Sequence, residues 1–110
     1  MRLQKDRDIK RVFAKGRNVY DDLTGIKFLA NRLPSSRFAI VVGTKVAKTA
    51  VARNRLKRQI RAILSKKEPI LVPGFDVVIL TKSAAIGAAA SKIDERLTRV
   101  LRQAKLLKNG

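Results

Sequence analysis

Apolar and polar residues alternate along the first half of the chain, first with the period of a helix and then with that of strands. In 6–15 the apolar residues recur at i, i+3 and i+4, which predicts an amphipathic helix capped by Asp6 and ended by Gly16. GIKFLAN (25–31) and RFAIVVGTKV (37–46) each carry apolar residues at alternate positions. The turn residues Pro-Ser-Ser separate them, so two adjacent antiparallel strands are the simplest interpretation.

The middle of the chain predicts a second helix and a buried strand. Thr49 is a suitable N-cap for a helix that runs to about residue 66 or 67, before Pro69 makes continuation costly. The segment PGFDVVILTK then opens with a turn and contains a continuous apolar run at 77–80. Such a run is typical of a strand that is buried on both faces, as in a parallel pair covered by helices.

The end of the chain predicts a third helix. Ser91 and Asp94 resemble a capping box, and an apolar stripe with helical spacing follows from Ile93 to Leu107. The stretch SAAIGAAA before it is either a short helical turn or a loop. The predicted order is helix, two or three strands, helix, strand, helix, which indicates a single α+β domain over 1–110 with helices packed on one mixed sheet.

The charge of the chain points to an anionic partner. Its 26 Lys and Arg against 8 Asp and Glu leave a net charge of +18, which favours a polyanion, with nucleic acid first and an anionic membrane surface second. The charged N-terminus is unlike a signal peptide, and no apolar run approaches the roughly 20 residues of a membrane span. We therefore expect a cytoplasmic protein.

The residue types also limit the possible chemistry. The chain has no Cys and no His, so it has no thiolate metal site, no cysteine nucleophile and no imidazole base. Its acidic residues occur singly or as adjacent pairs, without the spacing of metal ligands. We expect neither a catalytic residue nor a metal site in the protein.

The segment AVARNRLKRQIRAIL (50–64) is the strongest candidate for binding the polyanion. At about 100° per residue its Leu and Ile residues share one side of a helix, and Asn54, Lys57, Arg58 and Arg61 share another, with Arg53 at the edge and Arg55 pointing away. An ordinary solvated helix face usually mixes Glu with Lys, yet 48–67 contains no acid. Because Arg predominates, phosphate is the favoured ligand.

Residues outside this helix extend the candidate site. Lys45 and Lys48 precede the helix closely enough to enlarge the basic surface. Phe13 is either a stacking platform for a nucleobase or an ordinary core residue, and Tyr20 is a weaker aromatic candidate.

The segment KVAKTAVARNRLKRQIR resembles the signature of the protein component of bacterial ribonuclease P. The resemblance covers nearly the whole chain, because IKRVFAKGR is similar to the family's first helix, FDVVILTK to its last strand and LTRVLRQAKLL to its closing helix. It implies an α/β sandwich with a left-handed βαβ crossover, against the usual right-handed rule. It also implies a protein that binds a catalytic RNA and assists removal of the 5′ leader from precursor tRNA.

The resemblance further implies roles for particular residues. RNA contacts would come from Arg53, Asn54, Arg55, Lys57, Arg58 and Arg61, supported by Lys45 and Lys48. Phe13 would line a cleft for the single-stranded leader, together with Tyr20 and with Ile9, where relatives often carry an aromatic residue. Mg²⁺ held by RNA phosphates would perform the hydrolysis. The resemblance implies neither a membrane nor a small-molecule substrate as a partner.

Three other interpretations compete with this one. A structural RNA-binding protein, such as a ribosomal protein, has similar size and charge. A helix-turn-helix DNA binder would use 50–66 as its recognition helix, but it requires a short helix where RFAIVVGTKV predicts a strand. Peripheral membrane binding would compete with the core for the apolar side of the same helix.

Overall fold

The fold is a four-stranded mixed sheet with helices on both faces. The computed structural model describes residues 2–108. Within that range the elements are α1 (Asp6–Lys15), β1 (Arg17–Tyr20), β2 (Thr24–Ala30), β3 (Arg37–Val41), α2 (Ala50–Lys67), β4 (Phe75–Thr81) and α3 (Ala90–Gln103). Short 3₁₀ turns follow α2 and β4, at Glu68–Ile70 and Ser83–Ala85.

The sheet has the order β1-β2-β4-β3, with β4 inside it. β4 pairs antiparallel with β2, from Thr24 opposite Thr81, and parallel with β3, from Arg37 opposite Asp76. The mixed sheet is therefore confirmed, and β3, α2 and β4 form a βαβ unit. The hand of this crossover stays a prediction.

The prediction that 25–31 and 37–46 form neighbouring antiparallel strands is wrong, because β4 lies between them. The most apolar strand takes the interior position, where both of its faces can be covered. The second of these strands also ends at Val41, and a turn rather than more strand leads into α2. Because β3 precedes α2, the chain lacks the helix that a helix-turn-helix would require at that place.

Helices cover the two faces of the sheet unequally. On one face, α2 and α3 pack on Val77 and Ile79 of β4 and on the apolar side chains of β2 and β3. On the other face, α1 covers a smaller cluster that includes Val12, Ala39 and Val78. Val77, Val78 and Ile79 are fully buried, as the apolar run predicted. Part of the α1 face is left without a helix above it.

The helix ends follow the predictions only in part. Thr49 caps α2 as expected, and its hydroxyl accepts a 3.1 Å hydrogen bond from the Ala52 N–H. Asp6 is not the cap of α1, because Lys5 holds that position and Asp6 lies in the first turn. Ser91 is not a cap either. α3 begins one residue earlier, and Asp94 accepts instead from the Thr98 hydroxyl.

A buried ion pair ties β3 to β4 and to α1. The Arg37 guanidinium donates to both carboxylate oxygens of Asp76, at 2.8 and 2.7 Å, and lies 3.5 Å from Asp8. Asn31 donates a further hydrogen bond to Asp76. Burial acts to raise the pKa of Asp76, but the hydrogen bonds from Arg37 and Asn31 outweigh it, so the pKa lies below its usual range.

A second group of ion pairs holds α3 in place. Arg96 contacts Asp22 at 2.7 Å and Asp21 at 3.4 Å, in the turn between β1 and β2. Burial acts to raise the pKa of Asp21, but hydrogen bonds with Asp22, the Leu23 N–H and Arg96 lower it to about 2. Asp94 contacts Lys67 at 2.8 Å, which joins α3 to α2.

Replacing Asp76 by Asn should lower the free energy of unfolding at pH 7 by about 2 to 3 kcal/mol, because Arg37 loses its ionised partner in a buried site. The folded-state pKa of Asp76 is lowered, so its carboxylate stabilises the fold above about pH 4 and ceases to do so as the pH falls through the folded value. The variant should therefore lose less stability than the wild type between pH 5 and pH 2.

Urea unfolding at several pH values measures both effects. Asp6→Asn is the control, since Asp6 is exposed and forms no ion pair among residues 2–108. Identical pH profiles for Asp76→Asn and the wild type would contradict the assignment.

Candidate nucleic-acid interface

Helix α2 presents an apolar side to the sheet and a cationic side to solvent, as its sequence predicted. Leu56, Ile60, Ile63 and Leu64 are buried in the main core. Asn54, Arg55 and Arg58 are exposed, and Lys57 and Arg61 are half-buried. We call Asn54, Lys57, Arg58 and Arg61 the donor surface, because these side chains share one side of the helix and all carry N–H donors.

Within residues 2–108, the cations of the donor surface form no ion pair with a carboxylate. In the described part of the chain, Lys67 is the only α2 cation in an ion pair. Six of the eight acidic residues instead pair with Arg37, Lys67, Arg96 and Arg99; they are Asp8, Asp21, Asp22, Asp76, Asp94 and Glu95. The positive potential of α2 is therefore not neutralised within the protein, and phosphate oxygens can fill that role.

Arg53 has a structural contact that the sequence did not indicate. Its guanidinium donates hydrogen bonds to the carbonyl oxygens of Ala47, at 2.9 Å, and Lys48, at 3.1 Å. These bonds hold the turn that precedes α2, where Val46 and Ala47 also donate to the Gly43 carbonyl. Arg53 thus positions the turn on which the exposed Lys45 and Lys48 lie.

Two exposed aromatic rings lie beside lysines on the face of the sheet that α1 covers in part. The Phe13 and Tyr20 side chains are 44% and 48% exposed. Lys27 Nζ lies 5.6 Å from the centre of the Phe13 ring, and Lys82 Nζ lies 5.5 Å from that of Tyr20. We call Phe13, Tyr20, Lys27 and Lys82 the aromatic groove. Such a surface offers stacking to bases and charge to phosphates.

Strand register brings the aromatic groove together. Tyr20 lies opposite Gly25 and Asn18 opposite Lys27, so these residues share one face of the sheet. A Cβ atom at Gly25 would lie only 2.2 Å from Tyr20 Cδ1, so only glycine lets this ring lie close to the strand. Asn18 Oδ1 accepts a 2.8 Å hydrogen bond from Lys27 Nζ, which fixes the lysine beside Phe13.

The predicted site residues therefore form two groups. The turn and α2 bring together Arg53, Asn54, Arg55, Lys57, Arg58, Arg61, Lys45 and Lys48, whereas Phe13 and Tyr20 lie on the opposite face of the sheet. Ile9 is half-buried against the smaller apolar cluster and lies one helical turn before Phe13 on α1.

Sequence reasoning missed Lys27 and Lys82. Lys27 is the polar position between Ile26 and Phe28 in β2, so alternation alone could have assigned it to the face away from the main core. Nothing in the sequence signalled the contact of Lys82 with Tyr20, because it depends on the pairing of β4 with β2.

The arrangement is suited to binding rather than to acid-base catalysis. Within residues 2–108, no three acidic side chains lie close enough to hold a metal ion. No helix in the same range is long and apolar enough to cross a membrane. The two surfaces instead offer charge-assisted hydrogen bonds on one side of the sheet and base stacking on the other.

Comparison with known proteins identifies relatives along the whole chain. The family model Ribonuclease P matches residues 1–105. The ribonuclease P protein component of Synechocystis sp. is 36% identical over 111 residues, covering 100% of this chain and 90% of its own length. That of Lactobacillus johnsonii is also 36% identical, over 96% of this chain and 88% of its own length.

Solved structures show the same similarity. The RNase P protein of Staphylococcus aureus superposes with a TM-score of 0.89 at 26% identity, covering 96% of each chain. The RNase P protein of Thermotoga maritima gives a TM-score of 0.85 at 27% identity, covering 94% of this chain and 96% of its own. The α+β arrangement of a mixed sheet and helices is therefore shared with these proteins.

Replacing Arg53 by Ala should lower the free energy of unfolding by about 1 to 2 kcal/mol, because the Ala47 and Lys48 carbonyls lose their charged donor. Arg58→Ala is the matched control on the same helix, and it should change stability by less than about 0.5 kcal/mol because Arg58 is exposed. Chemical denaturation measures both values. Equal stability of the two variants would show that the contacts of Arg53 do not hold the turn.

Proposed function

This chain belongs to the ribonuclease P protein family, and we propose that it binds the catalytic RNA through the donor surface and the precursor tRNA leader through the aromatic groove. Its family role is that of a protein subunit of an RNA-based endoribonuclease, which matures the 5′ ends of tRNA. Partnership with the ribonuclease P RNA follows from this membership. Which side chains bind the RNA, and which bind the substrate, is our proposal.

The unneutralised charge of α2 is the observation that carries the proposal for the catalytic RNA. Lys57, Arg58 and Arg61 stand one turn apart, where like charges destabilise a helix unless anions lie between them. RNA phosphates supply such anions at regular spacing. Arg55 would reach RNA on the other flank of the helix, and Lys45 and Lys48 would extend the contact to the turn.

The exposed rings on the opposite face support the proposal for the leader. A single strand has bases free to stack, and Phe13 and Tyr20 each offer a ring with a lysine close by. Tyr20 lies opposite Gly25, and Lys27 follows Gly25 by two residues on the same face of the sheet. This separation along the strand suits the spacing of successive nucleotides in an extended single strand. Ile9 would support the groove from the core side rather than by stacking.

Hydrolysis in such a particle is assigned to Mg²⁺ held by RNA phosphates. When bound there, the ions would activate water and stabilise the leaving oxygen. The carboxylates of Asp21, Asp76 and Asp94 are not suited to hold the ion, because they already accept from Arg or Lys, and no three acidic side chains within residues 2–108 lie close enough to form a site for it. The protein's part is then to neutralise phosphates and to align the leader, in the cytoplasm where we expect the particle to work.

Arg58→Ala should weaken binding to a bacterial ribonuclease P RNA by about tenfold and reduce the salt dependence of binding by about one released ion. Filter binding at several salt concentrations gives both quantities. Arg102→Ala is the control, since Arg102 is an exposed cation at the end of α3. Equal losses from both variants would indicate attraction by net charge rather than a specific surface.

The same RNA tests the family role in this protein directly. Protein, RNA and precursor tRNA are mixed at low, near-physiological Mg²⁺, and release of the 5′ leader is followed. Cleavage that requires both components is expected. If the protein did not stimulate an RNA that is active alone at high Mg²⁺, the proposed function would be rejected.

Phe13→Ala should weaken binding of precursor tRNA to the assembled particle by roughly five- to tenfold, and binding of mature tRNA much less, because only the precursor carries a leader to stack on the ring. Leu33→Ala is a matched control, since Leu33 is 43% exposed but lies outside the aromatic groove. Equal loss of affinity for the two tRNAs would remove the leader from the role of this residue.

A further inference from the structure

A cavity of about 550 Å³ lies beside the last turns of α2, away from the aromatic groove. Its apolar wall comes from Phe38 and Ile40 of β3, Leu64 of α2 and Leu71. These β3 side chains share the face of the sheet that α2 and α3 cover, whereas the aromatic groove lies on the α1 face. The volume is in the range of cavities that hold small organic groups.

The rim of this cavity is mainly cationic. Arg2, Arg61 and Lys108 contribute three positive charges, and Glu68 contributes one negative charge. Among residues 2–108, none of these four side chains forms an ion pair, so all four can contact a ligand. An apolar wall under a cationic rim suits a ligand with a flat apolar body and an attached anion.

One polar group in the wall has no partner. The Ser35 hydroxyl oxygen is buried and makes no hydrogen bond with residues 2–108, and Ser35 lines the cavity. The neighbouring Ser36 hydroxyl is already engaged, since it donates to the Val72 carbonyl and accepts from the Phe75 N–H. A ligand with hydrogen-bonding edges can satisfy Ser35, which a purely apolar ligand cannot do.

The cavity is continuous with the donor surface. Arg61 belongs to both, and Ser65 and Glu68 continue the same side of α2 by one and two further turns. Phosphates held by Lys57 and Arg58 would therefore lead directly to the cavity mouth.

We propose that this cavity receives a nucleobase that is unstacked from the catalytic RNA, while the adjoining phosphates bind Arg61 and the other rim cations. The inference rests on the proposed function and adds a second mode of RNA contact to it. The base would pack on Phe38, Leu64 and Leu71, and its polar edge would meet Ser35 and Glu68.

A peptide strand is a poorer occupant of this site. The usual way for a peptide to bind here would be to extend the sheet at the free edge of β3. That edge is already paired, because Leu3 N–H donates to the Phe38 carbonyl at 2.8 Å and Arg2 bridges to Phe38. The cationic rim also favours a phosphate-bearing partner over most peptides.

Ser65→Phe fills the cavity mouth without removing a buried contact, since Ser65 is exposed. We expect its affinity for ribonuclease P RNA to fall by about tenfold, the loss typical of one buried base. Ser91→Phe is the matched control, because Ser91 is exposed on α3 and does not line the cavity. It should bind the RNA as the wild type does, and thermal melting verifies that both variants fold.

The outcomes separate this inference from the proposed function. If wild-type protein bound the RNA and Ser65→Phe bound it equally well, the cavity would not hold a base and the proposed function would stand. Equal losses from Ser65→Phe and Ser91→Phe would also overturn the inference, because they would indicate a general effect of an added ring rather than blockage of the cavity. Failure of the wild type to bind would reject the proposed function itself.

A second measurement uses AMP, CMP, GMP and UMP as probes of the wild-type protein, followed by NMR of its backbone amides. Saturable shifts at Ser35 and Leu71 with at least one nucleotide are expected, absent with inorganic phosphate and abolished in Ser65→Phe, whereas Arg61 should shift with the nucleotide and with phosphate. Identical shifts with phosphate alone would show that the site binds charge but no base, and would overturn the inference.

Discussion

Strand β4 requires apolar cover on both of its faces, and the remaining architecture follows from that requirement. Val77 and Ile79 project towards α2 and α3, whereas Val78 projects towards α1, and all three are fully buried. One pair of helices cannot cover both faces of a sheet. The single helix α1 covers only part of its face, because it is ten residues long and the sheet extends beyond it. The uncovered part is where Tyr20 and Lys27 meet solvent.

Most of the few acidic residues form ion pairs that hold the fold together. Arg37 with Asp76 and Arg96 with Asp21 join segments that are distant in the chain, and both carboxylates have lowered pKa values because of their partners. Among residues 2–108, six of the eight acidic residues form ion pairs, and only Asp94 pairs with a cation of α2. Local ion pairs thus stabilise a chain of net charge +18, whereas the positive charge of α2 can attract an external anion. In our proposal, stability and RNA binding therefore use different cations, apart from Arg53, which holds the turn before α2.

The donor surface and the aromatic groove lie on opposite faces of the sheet. A protein that contacted RNA and substrate through one patch would have to accommodate both on the same side chains. Here the donor surface lies outside the sheet on α2, the aromatic groove lies on the α1 face, and the turn with Lys45 and Lys48 lies between β3 and α2. In our proposal the catalytic RNA and the leader can therefore bind at the same time.

Local sequence patterns were sufficient to predict the secondary-structure elements and the chemistry of α2. Periodicity located all three helices and the buried strand, because the apolar spacing along a helix or strand is a local property. The absence of acid near Arg58, and the resemblance carried by the RNR segment, were likewise visible without coordinates. Helix caps were predicted less well, since Asp6 and Ser91 suit a cap chemically but lie one residue or more inside the helices.

The neighbours of each strand, and the residues that lie on each face of the sheet, depend on tertiary packing. The insertion of β4 between β2 and β3 depends on burial of both faces, a property of the assembled sheet that two amphipathic strands cannot reveal. The contacts of Arg53 with the turn, of Lys82 with Tyr20 and of Tyr20 with Gly25 depend on backbone positions set by that pairing. Side-chain type is local information, whereas side-chain partners are set by long-range packing.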